Sequence, residues 1–276
     1  ILYEGQILPN NGYFIWFHHL ITNNNYFIIE IENPNSQNSE IHYYLDYRVS
    51  NNEIKNGLEA SYIFFDLINN PRFIKLNLPS HFKMFLFCSK IPKDNILTGF
   101  SYLKSNTPLN IKIYSISNKF EFKKEMEYLK ADNSLRSTGK FEKPFIEKEI
   151  DFYLSNAFYS IRFPTKDEEI KLSNYNTSYT NDSNYGNYGV VYKLKLHIIN
   201  NTSSKQKVFL YASSISGYTP LVFLYKGNIY KSDSGMYKNL LTFYLEPDQE
   251  INESVYFLIT PGLFYPIEIE LTNNKL

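Results

Sequence analysis

The sequence predicts a mainly β protein of two β-sandwich (Ig-like) domains with one short connecting helix. Three observations predict it. The first is the residue stock: 25 Tyr and 22 Phe in 276 residues, with aromatics at 17%, favour pleated, half-buried surfaces. The second is a run of strict alternation. Tyr192, Leu194, Leu196 and Ile198 fall on one side and Lys193, Lys195 and His197 on the other, which is the period of a strand with one wet face. The third is punctuation: short apolar runs are separated throughout by Asn, Pro, Gly and Ser clusters of turn character.

The elements follow in order. Residues 1–10 read as a short apolar-polar arm, in which Ile1, Leu2, Tyr3, Ile7 and Leu8 are candidates for adding to a neighbour's sheet. Residues 13–21 predict a strand buried on both faces. Residues 26–32 predict another, closed by Asn33-Pro34-Asn35-Ser36, a strong turn. Residues 41–49 follow, and the polar stretch 50–57 reads as a loop. Further strands are predicted at 61–68, 73–78, 82–88, 97–103 and 109–116. At 118–130 the style changes. Asn118 with Glu121 has capping-box spacing, and Phe122, Met126 and Leu129 share a face, so a short amphipathic helix is predicted. Strands at 146–154 and 157–163 open the second half, and 165–183 is a polar excursion.

Residues 185–213 come next. Gly186-Asn187-Tyr188-Gly189 allows positive φ and a bend. The alternating strand, the polar Asn200-Asn201-Thr202-Ser203-Ser204 and the run Val208–Ala212 then read together as a hairpin with a long loop. Layout repeats: 26–48 resembles 192–212, and Asn77-Leu78-Pro79 before 82–88 matches Leu245-Glu246-Pro247 before 254–259. The halves end in alternating strands at 109–116 and 265–271. The expected domains are therefore 1–117, a helix and linker at 118–145, and 146–276.

The stretch Gly-Asn-Tyr-Gly-Val-Val-Tyr-Lys-Leu-Lys-Leu-His-Ile-Ile-Asn-Asn-Thr from Gly186 resembles a family of exported bacterial proteins of unknown function, common in cyanobacteria. Its members carry a similar G-N-Y-G-x-x-Y, an alternating strand and an N-x-T turn. The run from Phe14 to Ile21, with His18-His19, is similar to the F-x-H-H-I segment near that family's start. The chain departs from the family in being rich in Asn, Ile, Lys and Tyr and poor in Pro and Gly. The resemblance implies export and carries no catalytic residues.

Charge and chemistry narrow the function classes. Lys+Arg and Asp+Glu are balanced at 28 each, so no basic footprint for nucleic acid or an anionic membrane appears. No apolar run has the length of a membrane-spanning helix. The single cysteine, Cys88, rules out an internal disulfide and reads as a small buried hydrophobe. Numbering from Ile1 suggests a processed chain whose leader has been removed. His18 and His19 point to opposite faces of a strand, so they do not make a metal pair. Asp182-Ser183-Asn184-Tyr185-Gly186 lacks the distal bidentate Glu of a calcium loop; no cofactor is expected beyond, at most, a weak loop-bound calcium. Sequons at Asn176, Asn181, Asn200, Asn201 and Asn252 are formal glycosylation sites. Glycine-rich nucleotide loops and nucleophile elbows are absent.

The resulting expectation is a non-enzymatic exported structural protein at the cell surface. It would act as a self-assembling subunit of a surface layer, sheath or filament, with copies of itself as partners. The alternative is a cell-surface glycan-binding module, with Tyr175, Tyr179, Tyr185 and Tyr188 as stacking platforms or subunit contacts.

Overall fold

The computed structural model describes residues 2–116, 140–141, 145–164, 172–173, 188–214, 221–232, 238–260 and 266–274. The chain divides into two compact units, Ile1–Phe141 with Lys171–Ser183, and Glu142–Ile170 with Asn184–Leu276. The expected helix at 118–130 lies outside the described residues, as do most of the linker and most of the 165–183 excursion.

The first unit runs β1 (Tyr3–Ile7), β2 (Gly12–Leu20), β3 (Asn25–Glu32), β4 (Ser39–Ser50), α1 (Glu53–Asn69), β5 (Ile74–Leu78), β6 (Lys83–Ile91), β7 (Ile96–Ser105) and β8 (Leu109–Ile116). One sheet has the order β1-β8-β3-β6 and the other β2-β7-β4-β5. Their inner faces share one core, drawn from Ile7, Phe17, Phe27, Ile41, Leu103 and Ile111 among others. Across the two sheets, Phe17 of β2 meets Phe27 of β3 with ring centroids 5.4 Å apart. A two-residue ribbon, β9 (Lys140–Phe141) with β12 (Leu172–Ser173), completes the unit.

The second unit runs β10 (Phe145–Tyr153), β11 (Phe158–Phe163), β13 (Val191–Ile199), β14 (Gln206–Ser214), β15 (Leu221–Tyr225), β16 (Asn228–Ser232), β17 (Lys238–Leu245), β18 (Glu250–Leu258) and β19 (Ile267–Thr272). Its sheets have the orders β10-β13-β18-β15-β16 and β11-β19-β14-β17. Phe163 of β11 reaches Tyr192 of β13 at 5.2 Å and Phe257 of β18 at 5.6 Å, again joining two sheets through the core. The fold is therefore mainly β, of the β-sandwich type, as the sequence predicts. The alternation at 192–198 is fully realised: Tyr192, Leu194, Leu196 and Ile198 are all buried. Gly189 takes the expected positive φ, at 79°.

Four expectations change. Residues 185–213 do not form a hairpin. β13 pairs with β10 and β18, whereas β14 pairs with β17 and β19 in the facing sheet. The connection is an arch from one layer to the other. Second, 53–69 is helix, so the expected loop at 50–57 and strand at 61–68 are both corrected. Asn52 caps it, its side chain accepting from the Lys55 N–H at 2.9 Å, and Glu53 places negative charge in the first turn. Leu58, Ser61, Phe64 and Phe65 lie on the buried side. The run Tyr-Ile-Phe-Phe-Asp-Leu-Ile from Tyr62 has strand-like composition, and a short apolar run does not tell helix from strand by period alone. Asn70 donates its N–H to Asp66 O at 2.8 Å, and Pro71 stops further growth.

Third, β2 is not buried on both faces. It is an edge strand, and Phe14 and Leu20 are 39% and 56% exposed. Fourth, the expected N-terminal arm is a strand of the sandwich over Tyr3–Ile7. β1 pairs antiparallel with β8 of its own sheet, from Tyr3 opposite Ile113 to Ile7 opposite Leu109.

The layout repeat has a structural counterpart. β3, β4, β5 and β6 match β13, β14, β17 and β18, with the same pairings β3·β6 and β4·β5 against β13·β18 and β14·β17. β2 and β7 likewise match β11 and β19. The strands at 109–116 and 267–272 differ in sheet position: β19 takes the place of β7, not of β8. Between the matched strands the units differ. α1 connects β4 to β5, whereas the β15–β16 hairpin connects β14 to β17 and extends the other sheet.

Candidate assembly surface

Assembly through β-structure uses sheet edges, because only there do backbone N–H and C=O groups lack a strand partner. Among the described residues, the edges of the first unit are β1, β6, β2 and β5, and those of the second are β10, β16, β11 and β17. Among the described residues, exposed large apolar side chains on strands are concentrated on these edges. They include Phe14 and Leu20 on β2, Ile74 on β5, Phe145 and Tyr153 on β10, and Phe158 on β11; of such strand residues only Tyr47 sits on an inner strand. Edge residues are intrinsically more exposed than inner ones. The informative point is their type, since edges of monomeric proteins are commonly guarded by Lys or Pro.

The expected N-terminal contact residues are placed as follows. Ile1 lies outside the described residues. Leu2 donates its N–H to Ile113 O at 2.8 Å and, with Tyr3, packs on the core of the first unit. Ile7 is part of that core at 3% exposure, and Leu8 is exposed, its N–H donating to the Tyr13 hydroxyl at 3.2 Å. Of these residues Tyr3 and Ile7 lie on β1, Leu2 and Leu8 flank it, and Ile7 is committed inward. Of the four tyrosines, Tyr175, Tyr179 and Tyr185 lie outside the described residues. Tyr188 packs against the core of the second unit, as a residue holding a loop onto its own sandwich does.

Two polar clusters sit on the edge strands. On β2, His18 lies between α1 and β7: Nδ1 is 2.7 Å from Thr98 Oγ1 and Nε2 is 3.0 Å from Glu53 Oε1. Burial pulls its pKa below the usual histidine value, against the opposing pull of Glu53. On the outer face of the second unit, β10 runs parallel to β13 with Glu147, Glu149 and Asp151 opposite Lys193, Lys195 and His197. Ion pairs follow this register, Lys193 to Glu147 at 3.1 Å and Lys195 to Glu149 at 3.0 Å. His197 bridges three strands, Nδ1 at 3.0 Å from Asp151 and Nε2 at 3.2 Å from Glu250 of β18. Hydrogen bonds to Asp151 and then Glu250 raise its pKa. This ladder fixes the register of β10, since a one-residue slip would turn its acidic row inward.

Cys88 is half-buried against Ile28, Tyr114 and Ile116, in keeping with a hydrophobic role. Among the described residues no group of three or more His, Cys, Asp or Glu side chains could hold a metal ion. The candidate calcium loop 182–186 lies outside the described residues. Among the described residues, no helix is long and apolar enough to cross a membrane.

Sequence reasoning missed two residues that organise the arches. Asn33 Nδ2 donates to the carbonyls of Gln37, Leu78 and Pro79 at 2.9, 3.2 and 3.0 Å. Asn200 Nδ2 donates to those of Ser204, Leu245 and Glu246 at 2.9, 3.2 and 2.8 Å. The available signal was the Asn that follows β3 and the Asn that follows β13, which turn chemistry alone made look like solvent-facing punctuation.

No family model matches the chain, and no curated protein matches it. Among solved structures, the exported protein XepA of PBSX is similar at 9% identity over 98% of this chain and 84% of that one, with a TM-score of 0.22. Salicylate 1,2-dioxygenase from Pseudaminobacter salicylatoxidans aligns at 7% identity over 98% and 69%, with a TM-score of 0.17. Mannose 6-phosphate isomerase from Bacillus subtilis aligns at 10% identity over 89% and 64%, with a TM-score of 0.13. Likeness at this level carries no argument about function.

Proposed function

We propose that this chain is a non-enzymatic exported structural protein, a subunit that assembles with copies of itself into an extracellular layer, sheath or filament. The observation that carries the reading is the set of aromatic and aliphatic side chains exposed along the edge strands. Such edges favour strand-to-strand association. Export rests on the resemblance of the 186–202 stretch.

The test is the mass of the native, untagged particle across concentration, by light scattering with negative-stain imaging. Regular polymers or defined oligomers support the reading, and a monomer at every concentration overturns it. Deleting residues 1–10 is not a clean test. Ile7 is buried and β1 belongs to the sandwich, so the deletion attacks the fold as well as any joint.

A further inference from the structure

The edges are not equivalent. β1 carries Glu4, β5 Lys75, β6 Lys83 and Lys90, β10 an acidic row, β11 Arg162, β16 Lys231 and β17 Lys238. β2, Gly-Tyr-Phe-Ile-Trp-Phe-His-His-Leu, is nine residues long and has no Asp, Glu, Lys, Arg or Pro. A long edge strand without charge is the kind that monomeric proteins avoid.

The pairing register shows which backbone groups face outward. β2 lies opposite β7 from Gly12–Lys104 to Leu20–Ile96, and one step on, the Ile21 N–H donates to Asn95 O at 2.9 Å. In an antiparallel ladder, hydrogen-bonded positions alternate. Odd-numbered residues therefore bond to β7, and Gly12, Phe14, Trp16, His18 and Leu20 turn their N–H and C=O groups outward. Among the described residues no strand pairs with this side of β2.

We propose that a second copy of this chain pairs with β2 along this edge, antiparallel and centred on Trp16, joining the two four-stranded sheets into one. The inference rests on the assembly reading and names the joint. Centred on Trp16, the strand is complementary to itself: Trp16 faces Trp16 of the other copy, Phe14 faces His18, and Gly12 faces Leu20. On the other face Tyr13 meets His19 and Ile15 meets Phe17. No two like charges oppose each other. The corresponding self-pairing of β10 would set Glu147 against Asp151, which disfavours that edge. Five outward residues per copy exchange about ten hydrogen bonds, the number a typical protein interface carries. Cross-strand aromatic contact at Trp16 adds to them.

The test is residue-resolved amide hydrogen exchange on the full chain, below and above the concentration at which light scattering detects association. The expected result is alternate protection. The amides of Gly12, Phe14, Trp16, His18 and Leu20 slow by about tenfold or more on association, while those of the odd residues change little. A second arm uses Leu20→Pro, which removes an outward N–H at a position where an edge strand tolerates proline. Losing that bond twice in a two-fold joint should weaken association by roughly tenfold or more. Association without protection of the five amides overturns this joint and leaves the assembly reading standing. A chain that stays monomeric overturns both. Should Leu20→Pro fail to fold, the exchange pattern of the unaltered chain still decides.

Discussion

Asn33 and Asn200 perform the same task at the same place in two successive units. Each lies 4, 45 and 46 residues before the three carbonyls that its side-chain amide holds. The agreement extends around the turn. The Asn33 N–H donates to Phe82 O and the Asn200 N–H to Gln249 O, both at 2.9 Å. Asn33 Oδ1 accepts from the Asn35 N–H and Asn200 Oδ1 from the Thr202 N–H. His81 and Asp248, at matching places in the second loop, have φ of 56° and 58°. In each unit one fully buried amide ties the arch between sheets to a second loop, β5–β6 in the first unit and β17–β18 in the second, which is the physical content of the sequence repeat.

Replacing either asparagine by alanine removes the one amide whose two hydrogens three carbonyls share. Each of Asn33→Ala and Asn200→Ala should cost roughly 2–4 kcal/mol, since buried polar groups left unmatched are more costly than an average hydrogen bond is favourable. Urea unfolding of the two variants measures it. Similar losses are expected from both, and a loss under about 0.5 kcal/mol in either would contradict the shared role.

Gly99 sits in β7 where neighbouring strands approach closely. A Cβ there would run into Asp46 O, would lie 2.7 Å from Tyr47 Cα and would lie 2.9 Å from the Phe17 ring. Two of the three are backbone atoms and have no room to give way. Gly99→Ala should destabilise by about 1–3 kcal/mol through overpacking. Gly227, with φ of 75° and nothing within 4 Å of a Cβ, is the contrast. Alanine there meets only the left-handed backbone penalty, about 1–2 kcal/mol, and should leave the β15–β16 pairing intact. Thermal melts with backbone chemical shifts distinguish the two.

Phe64 joins α1 to the sheet beneath it. It lies 4.9 Å from Phe14, 5.1 Å from Trp16 and 5.5 Å from Phe100, ring centre to ring centre, and is 4% exposed. Phe64→Ala should cost about 3–5 kcal/mol. Trp16 is the chain's one tryptophan, so its emission reports directly on this layer and should shift to longer wavelength in the variant. Unchanged emission would show that α1 does not shield β2 in solution.

His18 and His197 should give opposite pH dependences. For His197 the folded pKa is raised, so the folded state binds more protons than the unfolded state above the ordinary histidine value. Its contribution is present below that value and is lost as pH rises through the folded pKa. For His18 the folded pKa is lowered, so the unfolded state binds more protons between the lowered value and 6.5, and stability rises with pH across that window. NMR titration of the two rings, with urea midpoints of His18→Gln and His197→Gln at several pH values, checks both directions. A His197 ring titrating below 6.5 would refute its ladder role.

Much of the fold was legible locally. The strand period from Tyr192 to Ile198 was read residue by residue, because a sheet with one wet face imposes a two-residue repeat whatever its partners are. Gly189 was legible for the same reason: a left-handed turn is a short-range matter. The helix at Glu53–Asn69 was not, because its aromatic core-facing residues favour strands by propensity and only packing against β4 and β7 decides for helix. Of the expected contact tyrosines only Tyr188 is described, and it faces its own core.

By itself, then, the sequence determined a mainly β chain, its turns, and a repeat of layout across two halves. Only the tertiary structure decided which sheet each strand joins, that β13 and β14 are an arch and not a hairpin, and which strands are edges. The reason is that alternation records one buried face, and a hairpin and an arch bury the same face with the same period. The backbone partner of a strand comes from far along the chain, and pairing such as β13 with β18 or β2 with β7 leaves no mark on local pattern. Edge status, on which the assembly reading turns, is the most non-local property of all.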